Sequence, residues 1–326
     1  MNRDDLIAVF LARNGYAPSD AEPLAQDASF RRYLRIRGDR PAVLMDAPPP
    51  EDVGPFLRIA AHLRGLGLAV PAILAADAAN GLILEEDLGD DLLSTLLDRG
   101  DAPEALFDAA IDALVVMQRA TPPEGLPNWG APEMAATAMG TLFDWWWPAQ
   151  FQTAAPQAAR YDVAAALQTM LQPVAAGASC FVHRDYFAGN LLRLRNGRIG
   201  ILDFQGAAIG HPAYDLVSLL QDARRDIAPA VRDRGLERYL HGRPELNREE
   251  FRAAFAACAA QRHLRVACQW VRLALRDHRP QYLAYGPRTW RLLEDALSQP
   301  AAAPLAAALN RWIPAARRGN PAGLAA

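Results

Sequence analysis

The chain has 326 residues, 51% of them apolar, and a formal net charge of −3. This length exceeds what a single hydrophobic core usually organises, so we expect two lobes. The near-neutral charge gives no reason to expect nucleic acid or an anionic membrane as a partner. The sequence has no run of about 18 uncharged apolar residues, so we expect no membrane span.

Cysteine and lysine usage constrains the chemistry further. Cys180, Cys258 and Cys268 are odd in number and lack metal-ligand spacing, which argues against disulfides and against a zinc site. Asp4 and Asp5 interrupt the apolar start of the chain, which argues against a secretory signal, so we expect a cytoplasmic protein. The sequence contains no lysine, and lysine-dependent chemistry is therefore excluded.

The first 88 residues predict a small lobe of short strands around one helix, preceded by a short helix. Alternating apolar residues and the turns at Gly38-Asp39 and Asn80-Gly81 indicate strands, while helical spacing indicates the helices. The expected elements are a helix over residues 3–14, strands over 33–37 and 42–46, a helix over 51–66, and two short strands around Asn80-Gly81.

The rest of the chain is predicted to be mainly helical. Helical spacing recurs in residues 91–97, 105–118, 134–151, 161–174, 216–222, 227–239, 248–276, 288–298 and 305–312. Only residues 181–204 break this pattern, with two apolar segments that predict a hairpin around Gly197. We therefore expect an α+β protein with an N-terminal lobe over residues 1–88 and a C-terminal lobe over residues 89–326.

Residues 181–204 carry the chemistry that the composition allows. They read FVHRDYFAGNLLRLRNGRIGILDF, with Asp185 in a His-Arg-Asp triplet, Asn190 five residues later, and Asp203 in an apolar run. Phosphoryl transfer needs one group to orient the attacking hydroxyl and oxygen ligands to hold Mg²⁺ on the phosphates. The spacing predicts Asp185 as the catalytic base and Asn190 and Asp203 as magnesium ligands.

Two segments resemble a known family. HRDYFAGNLL and ILDFQGAAIGHPAYDLVSLL are similar to the catalytic loop and metal motif of the aminoglycoside phosphotransferase and choline kinase branch of the protein-kinase-like superfamily. The resemblance implies a bilobal fold with a small antiparallel sheet and a larger helical lobe. It also implies Asp215 as an anchor of the catalytic loop, and His183 is expected to pack against that loop.

A narrower resemblance covers most of the chain. DASFRRYLR, MDAPPPED, QRHLRV and YLAYGPRTWRLLE are similar to bacterial kinases that phosphorylate the anomeric hydroxyl of N-acetylmuramic acid and N-acetylglucosamine in cell-wall recycling. This resemblance implies ATP and Mg²⁺ as cofactors and an amino sugar as the small-molecule substrate. We expect a monomer. It does not choose between the two sugars, and the residues do not choose between ATP and GTP.

The predicted phosphate grip departs from the kinase pattern. Met45 stands where kinases have a strand lysine, and residues 54–66 of the following helix include no acid to pair with it. Arg31 is our candidate phosphate clamp, because arginine binds phosphate oxygens bidentately; the alternative is a solvated basic strand face. Strand alternation places Arg31, Tyr33 and Arg35 on one face. The other predicted nucleotide contacts are Ser29 and Phe30 at the loop tip, Val43 on the strand, and Glu85, Glu86 and Leu88 in the hinge segment, where backbone groups are expected to read the base.

Residues for the acceptor are less defined by the sequence. The segment TLFDWWWPAQF places Asp144 and Trp145 beside two further tryptophans, which point about 100° apart on a helix and cannot all enter one core. At least one is expected to line a cleft, although lobe packing is the alternative for any single tryptophan. The remaining candidates follow from proximity to the motifs: Tyr186, Gln205, Asp222 and Arg224.

Three functions stay open from the sequence. The first is a kinase of an N-acetylated amino sugar, and the second is a kinase of another acceptor such as an aminoglycoside, choline or homoserine. The mixed charge of residues 141–151 and 216–225 favours a neutral or anionic acceptor over a cationic one. The third is a nucleotide-binding pseudokinase, suggested by the absent lysine but opposed by the presence of Asp185, Asn190 and Asp203.

Overall fold

A computed structural model describes residues 2–24 and 31–324 of the chain. The chain forms two compact units. The first comprises Met1–Ala102 together with Ala188–Gly206, and the second comprises Pro103–Phe187 together with Ala207–Ala326. The sequence-based division at residue 88 therefore differs from these units in two places. The first unit extends to Ala102, and it also includes the segment that contains Asn190 and Asp203.

The strands are short and the helices vary widely in length. In chain order the strands are β1 (Ala21–Pro23), β2 (Arg32–Ile36), β3 (Ala42–Asp46), β4 (Ile73–Asp77), β5 (Leu82–Glu86), β6 (Asn128–Trp129), β7 (Cys180–Val182), β8 (Leu191–Arg193), β9 (Ile199–Ile201) and β10 (Ala208–Gly210). The α-helices are α1 (Arg3–Arg13), α2 (Gly54–Gly65), α3 (Leu93–Asp98), α4 (Pro103–Arg119), α5 (Ala131–Thr141), α6 (Trp147–Phe151), α7 (Gln157–Met170), α8 (Gln172–Ala176), α9 (Ala213–Leu220), α10 (Pro229–Gly242), α11 (Arg248–Arg276), α12 (Gly286–Leu297) and α13 (Ala303–Trp312).

The first unit is built on an antiparallel sheet of order β1-β2-β3-β5-β4. On one face of the sheet, Ile36, Leu44 and Leu84 pack against the buried side of α1. The register pairs Tyr33 with Met45 and Val43 with Glu85, so these residues share the opposite face. The sheet therefore separates an apolar core on one side from a more polar face on the other.

A second substructure of the first unit carries the metal motif. Strands β8 and β9 form an antiparallel hairpin, and the amide of Ile201 donates to the carbonyl of Ala69. Phe204, directly after the motif, stacks on Phe56 of α2 with ring centroids 4.8 Å apart. These contacts fix the position of Asp203 relative to α2 within the unit.

Helix α11 organises the second unit. Its N-cap is Asn247, whose side chain accepts from the amides of Glu249 and Glu250, and the helix runs for 29 residues from Arg248. Its central portion is buried around its full circumference, from Ala257 to Leu264, which is typical of an interior helix. Helices α5, α9 and α12 all contact it.

Most elements agree with the sequence, and the α+β class is confirmed by an antiparallel sheet in the first unit and a mainly helical second unit. The short strands β1, β6, β7 and β10 were not predicted. The helix expected over residues 134–151 contains a π-helical turn, Leu142–Trp146, in which the Trp147 amide donates to the Leu142 carbonyl. None of the helices within the described ranges is both long enough and apolar enough to cross a membrane.

Candidate active site

A cavity of about 380 Å³ lies within the first unit, against the polar face of the sheet. Of the predicted nucleotide contacts, Val43, Glu85, Glu86 and Leu88 line it. The predicted metal ligands Asn190 and Asp203 line the same cavity, as does Phe56. The structure thus brings the hinge segment and the metal motif together around one space. Ser29 and Phe30 lie outside the described residues.

Arg35, which lines this cavity, is paired with two acids. Arg35 lies beside Asp87, with its Nε 2.8 Å from Oδ2, and it also binds Asp90. The other arginine of this strand, Arg32, points to the opposite face, where its Nε donates to Asp46 Oδ2 at 2.8 Å. The alternation predicted for this strand is therefore confirmed, and Arg35 is engaged with acids rather than solvated.

Arg31 lies at the start of this strand with only 9% of its surface exposed. Its Nε is 3.3 Å from Glu51 Oε2, in the segment that precedes α2. Arg31 also interacts with Tyr33, whose hydroxyl donates to the Met45 sulfur at 3.4 Å. The sequence had suggested that both members of the kinase ion pair were absent. The structure instead pairs an arginine with an acid that comes before the helix, not within it.

The metal motif is held by amide side chains. Asn190 Nδ2 lies 3.4 Å from Asp203 Oδ2, and Gln205 Nε2 donates to Asp203 Oδ1 at 2.5 Å. Asp203 has a φ of +58°, a left-handed conformation that aspartate tolerates better than most residues. Asp203 is exposed, so its carboxylate is accessible to a cation. An amide and a carboxylate side by side offer the oxygen ligands that Mg²⁺ prefers.

Asp215 anchors His183 and Arg184, which begin the predicted catalytic loop in the second unit. The backbone amides of His183 and Arg184 donate to its two carboxylate oxygens at 2.7 and 2.8 Å, and Gln118 Nε2 donates at 3.2 Å. Burial raises the pKa of Asp215, and its electrostatic interaction with His183 and these hydrogen bonds oppose that rise. The predicted role of Asp215 as an anchor is confirmed.

Two further features shape this loop. Arg184 adopts a φ of +75°, a conformation that costs a non-glycine residue of order 1–3 kcal/mol and persists only where the surroundings enforce it. His183 is fully buried, and its Nδ1 accepts from the Asp185 amide at 3.3 Å. His183 is therefore structural, as expected. The carboxylate of Asp185 is exposed at the surface of the unit.

Comparison with proteins of similar sequence shows the family to which the chain belongs. Residues 20–254 match the phosphotransferase enzyme family. An N-acetylmuramate/N-acetylglucosamine kinase of Caulobacter vibrioides is 36% identical over 97% of this chain and 98% of its own length. The chain belongs to the phosphotransferase enzyme family. It is an enzyme that transfers a phosphate group to a hydroxyl.

Two further proteins support this assignment, one by its sequence and one by its fold. A protein of the same name from Pseudomonas aeruginosa is 36% identical over 86% of the chain and 85% of its own length. A choline/ethanolamine kinase family protein from Mesorhizobium loti has a similar structure, with a TM-score of 0.67 over 94% of this chain and 99% of that one. At 16% identity the second similarity shows the fold alone, and it confirms the protein-kinase-like fold.

The three consecutive tryptophans of this phosphotransferase, residues 145–147, differ in burial, as their angular spacing on a helix predicted. Trp146 is fully buried, contacts Trp290 with ring centroids 5.2 Å apart, and donates from its indole to the Gly319 carbonyl. Trp147 is also buried, whereas Trp145 is half-buried. Asp144 is exposed and forms an ion pair with Arg160 at 3.1 Å. Of the three tryptophans, Trp145 has the most accessible ring.

Tyr186 requires a correction. Its side chain is fully buried, its hydroxyl donates to the Ala110 carbonyl at 2.7 Å, and burial raises its pKa well above the usual value. The side chain is part of the interior of the second unit and is not an acceptor contact. Proximity to the motif was a poor guide here, because neighbouring residues on a tight loop point in opposite directions.

The other acceptor candidates lie in different surroundings. Gln205 belongs to the first unit and donates to Asp203, so it supports the metal motif. Asp222 is buried in the second unit, accepts from the Arg224 amide at 2.8 Å, and has its pKa raised by burial. The Arg224 guanidinium lies over the ring of Phe187 at 4.3 Å.

Proposed function

We propose that this phosphotransferase uses ATP and Mg²⁺ to phosphorylate the anomeric hydroxyl of an N-acetylated amino sugar, N-acetylmuramic acid or N-acetylglucosamine. The observation that carries the proposal is the shared name of the two relatives, one of which aligns with nearly the whole chain. The motif chemistry supports the phosphotransferase part of the proposal independently, because the sequence contains a candidate base, two candidate magnesium ligands and a candidate phosphate-binding arginine.

Asp185 is assigned as the catalytic base. Its carboxylate is exposed on a loop whose backbone amides are held by Asp215. Phosphoryl transfer passes through a loose transition state, so the base mainly orients the attacking hydroxyl and accepts its proton late. An anomeric hydroxyl is more acidic than an ordinary alcohol, and a carboxylate therefore suffices for this limited proton transfer.

Asn190 and Asp203 are the residues that would hold Mg²⁺. Their side chains are adjacent and face the cavity, and Gln205 orients the Asp203 carboxylate by donating to it. Two protein ligands are enough, because Mg²⁺ usually keeps waters and phosphate oxygens as its other ligands. The bound ion supplies positive charge that neutralises the phosphate oxygens as the phosphoryl group is transferred.

Arg31 is assigned to the phosphates in place of the strand lysine. It is linked through Tyr33 to the cavity, where Tyr33 also interacts with Asp203. Its ion pair with Glu51 would orient the guanidinium, as a helix glutamate orients the lysine in other kinases. A planar guanidinium can bind two phosphate oxygens at once.

The acceptor contacts are assigned by chemistry. The acetamido carbonyl of either sugar, and the lactyl carboxylate of N-acetylmuramic acid, are hydrogen-bond acceptors, for which Arg224 is suited. Asp144 can accept from sugar hydroxyls beside the half-buried ring of Trp145, and the buried Asp222 holds the backbone at Arg224 by accepting from its amide. A cationic acceptor such as choline would need a more acidic pocket than these residues provide.

The test is an ADP-release assay with N-acetylglucosamine, N-acetylmuramic acid, choline and an aminoglycoside as acceptors. We expect ADP release with at least one N-acetylated sugar and background rates with the other two. Asp185→Asn should bind nucleotide as the wild type does and should lower kcat by roughly 10²- to 10⁴-fold, because only orientation and proton acceptance are lost. Asp233→Asn, on the exposed face of α10, is the matched control and should keep full activity.

Other outcomes assign other functions. ADP release with choline or the aminoglycoside alone would replace the sugar by that acceptor. Nucleotide binding without ADP release for any acceptor would support a pseudokinase or an acceptor outside the panel. Near-wild-type turnover by Asp185→Asn would show that Asp185 is not the base.

A further inference from the structure

The side chain of Glu85 is the least explained polar group of the cavity. Glu85 lies on β5 opposite Val43 of β3, on the sheet face that lines the cavity. Only 6% of its surface is exposed. Among the residues that the structure describes, none forms a hydrogen bond or an ion pair with its carboxyl group, and Oε2 is fully buried without a partner. Its neighbour Glu86 is exposed and accepts from the Ala72 amide.

A buried carboxyl group without a partner costs free energy, so its presence beside a ligand cavity indicates a partner on the ligand. Burial raises the pKa of Glu85 to about 8, which leaves the group mainly neutral at pH 7. A neutral carboxylic acid has one hydrogen-bond donor and one acceptor side by side. Its partner on the ligand should therefore present an acceptor beside a donor.

Adenine and guanine differ in the hydrogen-bonding groups on their Hoogsteen edge, which is formed by N7 and the substituent at C6. Adenine presents the N7 acceptor beside the N6 amino donor, whereas guanine presents two acceptors, N7 and O6. Residues 86–88 line the same cavity, where we expect their backbone to meet the Watson–Crick edge of the base. That arrangement leaves N7 and the second hydrogen of the N6 amine for the side chain of Glu85, the first residue of the predicted hinge segment.

We propose that the Glu85 side chain donates to N7 and accepts from the N6 amine of adenine, and that it thereby selects ATP over GTP. This inference rests on the proposed function, since it assumes a purine nucleotide in the cavity. It assigns base recognition to a side chain, where the sequence had predicted backbone contacts only. With guanine, one carboxyl oxygen would face O6 with no proton between them.

The test is equilibrium binding of ATP, GTP and 7-deaza-ATP by calorimetry at neutral pH, without an acceptor sugar. The wild type should prefer ATP to GTP by roughly 10- to 100-fold and should bind 7-deaza-ATP about 3- to 20-fold more weakly than ATP. Glu85→Gln should keep both differences, because an amide has the same donor and acceptor. Glu85→Leu should bind ATP and 7-deaza-ATP equally and should reduce the ATP preference to within a few-fold.

The pH dependence supplies a second readout. The charged and titratable groups on the elements around Glu85 are Tyr33 and Arg35 on β2, Asp87 and Asp90, which pair with Arg35, and Asp203. Burial and the negative charges of Glu85 and Asp203 raise the pKa of Tyr33, so it stays neutral when Glu85 ionises. Wild-type affinity for ATP should therefore fall as the pH rises above about 8, while Glu85→Gln should show no such fall.

Controls separate this inference from the proposed function. Glu124→Gln removes an exposed carboxylate in a loop of the second unit and should leave all three affinities and their pH dependence unchanged. An unaltered ATP preference in Glu85→Leu, or equal wild-type affinities for ATP and 7-deaza-ATP, would overturn the inference while leaving the kinase intact. If no nucleotide bound the wild type, both the inference and the proposed function would fail. The 7-deaza-ATP comparison uses the wild type alone, so it does not depend on the folding of any variant.

Discussion

Replacing Glu85 by glutamine should stabilise the protein, and the gain should grow with pH. The carboxyl group has a pKa of about 8 in the folded protein, against 4.5 for the unperturbed group, because of burial. Between these two pH values the unfolded chain releases a proton that the folded protein keeps. The free energy of unfolding of the wild type must therefore fall as the pH rises through this window. Glutamine cannot ionise, so the variant escapes this loss.

The size of the effect follows from the size of the shift. Each unit of pKa difference is worth about 1.4 kcal/mol, so the full window corresponds to about 3–5 kcal/mol of stability that the wild type loses and the variant keeps. The measurement is urea unfolding of the nucleotide-free wild type and variant at about pH 5 and about pH 8. Glu124→Gln removes an exposed carboxylate, so its free energy of unfolding should change between about pH 5 and about pH 8 by nearly the same amount as that of the wild type.

A constant stability difference between wild type and Glu85→Gln across this pH range would refute the reasoning. It would mean that Glu85 ionises at an ordinary pKa in the folded protein, because a bound water or a local rearrangement solvates its carboxylate. A difference that shrinks as the pH rises would contradict the sign of the shift as well as its size.

Three further predictions concern the loop anchor, the phosphate clamp and a hairpin turn. Asp215→Asn should cost about 2–4 kcal/mol in urea unfolding and should lower kcat, because an amide NH₂ would face a backbone donor where a carboxylate oxygen now accepts. Arg31→Ala should raise the nucleotide KM about 10-fold or more in steady-state assays, and Glu51→Gln should raise it less, because it removes only the orienting partner. Gly81→Ala should lower the free energy of unfolding by more than about 2 kcal/mol in urea, because the φ of Gly81 is +66° and the new Cβ would lie 1.9 Å from the Ala47 carbonyl oxygen. Gly67→Ala is the matched control, since Gly67 has a similar φ of +75° but a Cβ there would have no heavy atom within 4 Å. It should cost only about 1 kcal/mol.

Features that depend on neighbouring residues in the chain could be predicted from the sequence. Helix α11 has the bounds that the apolar spacing predicted, residues 248–276, and β3 begins and ends as predicted at residues 42 and 46. The anchoring role of Asp215 and the structural role of His183 followed from the motif and its resemblance, and the hydrogen bonds bear them out. These features are local, or they belong to a motif whose spacing carries the information.

Features that depend on tertiary contacts could not be predicted. Glu51 comes before α2, so a search for an acid within the helix missed the partner of Arg31. Strand β1 is three residues long and carries no periodic signal. Tyr186 lies next to Asp185 in sequence, yet its ring points into the interior, and only the fold determines that direction.

Glu85 combines both cases. Its place in an apolar strand could be read from the sequence, and an acid in a buried strand already conflicts with the burial expected there. The strand register is needed to know which face the side chain occupies, and the packing is needed to know that no residue within the described ranges pairs with it. The conflict between the apolar pattern and an acidic residue was the signal in the sequence that marked this position as unusual.

The position of the transferred phosphate tests the central claim most directly. The product formed from N-acetylglucosamine or N-acetylmuramic acid can be examined by ³¹P NMR, with the corresponding methyl glycoside, whose anomeric oxygen is blocked, as the matched substrate control. The account predicts a phosphorus signal coupled to the single anomeric proton, and no product from the methyl glycoside. A product phosphorylated at another hydroxyl, or turnover of the methyl glycoside at the rate of the free sugar, would contradict it.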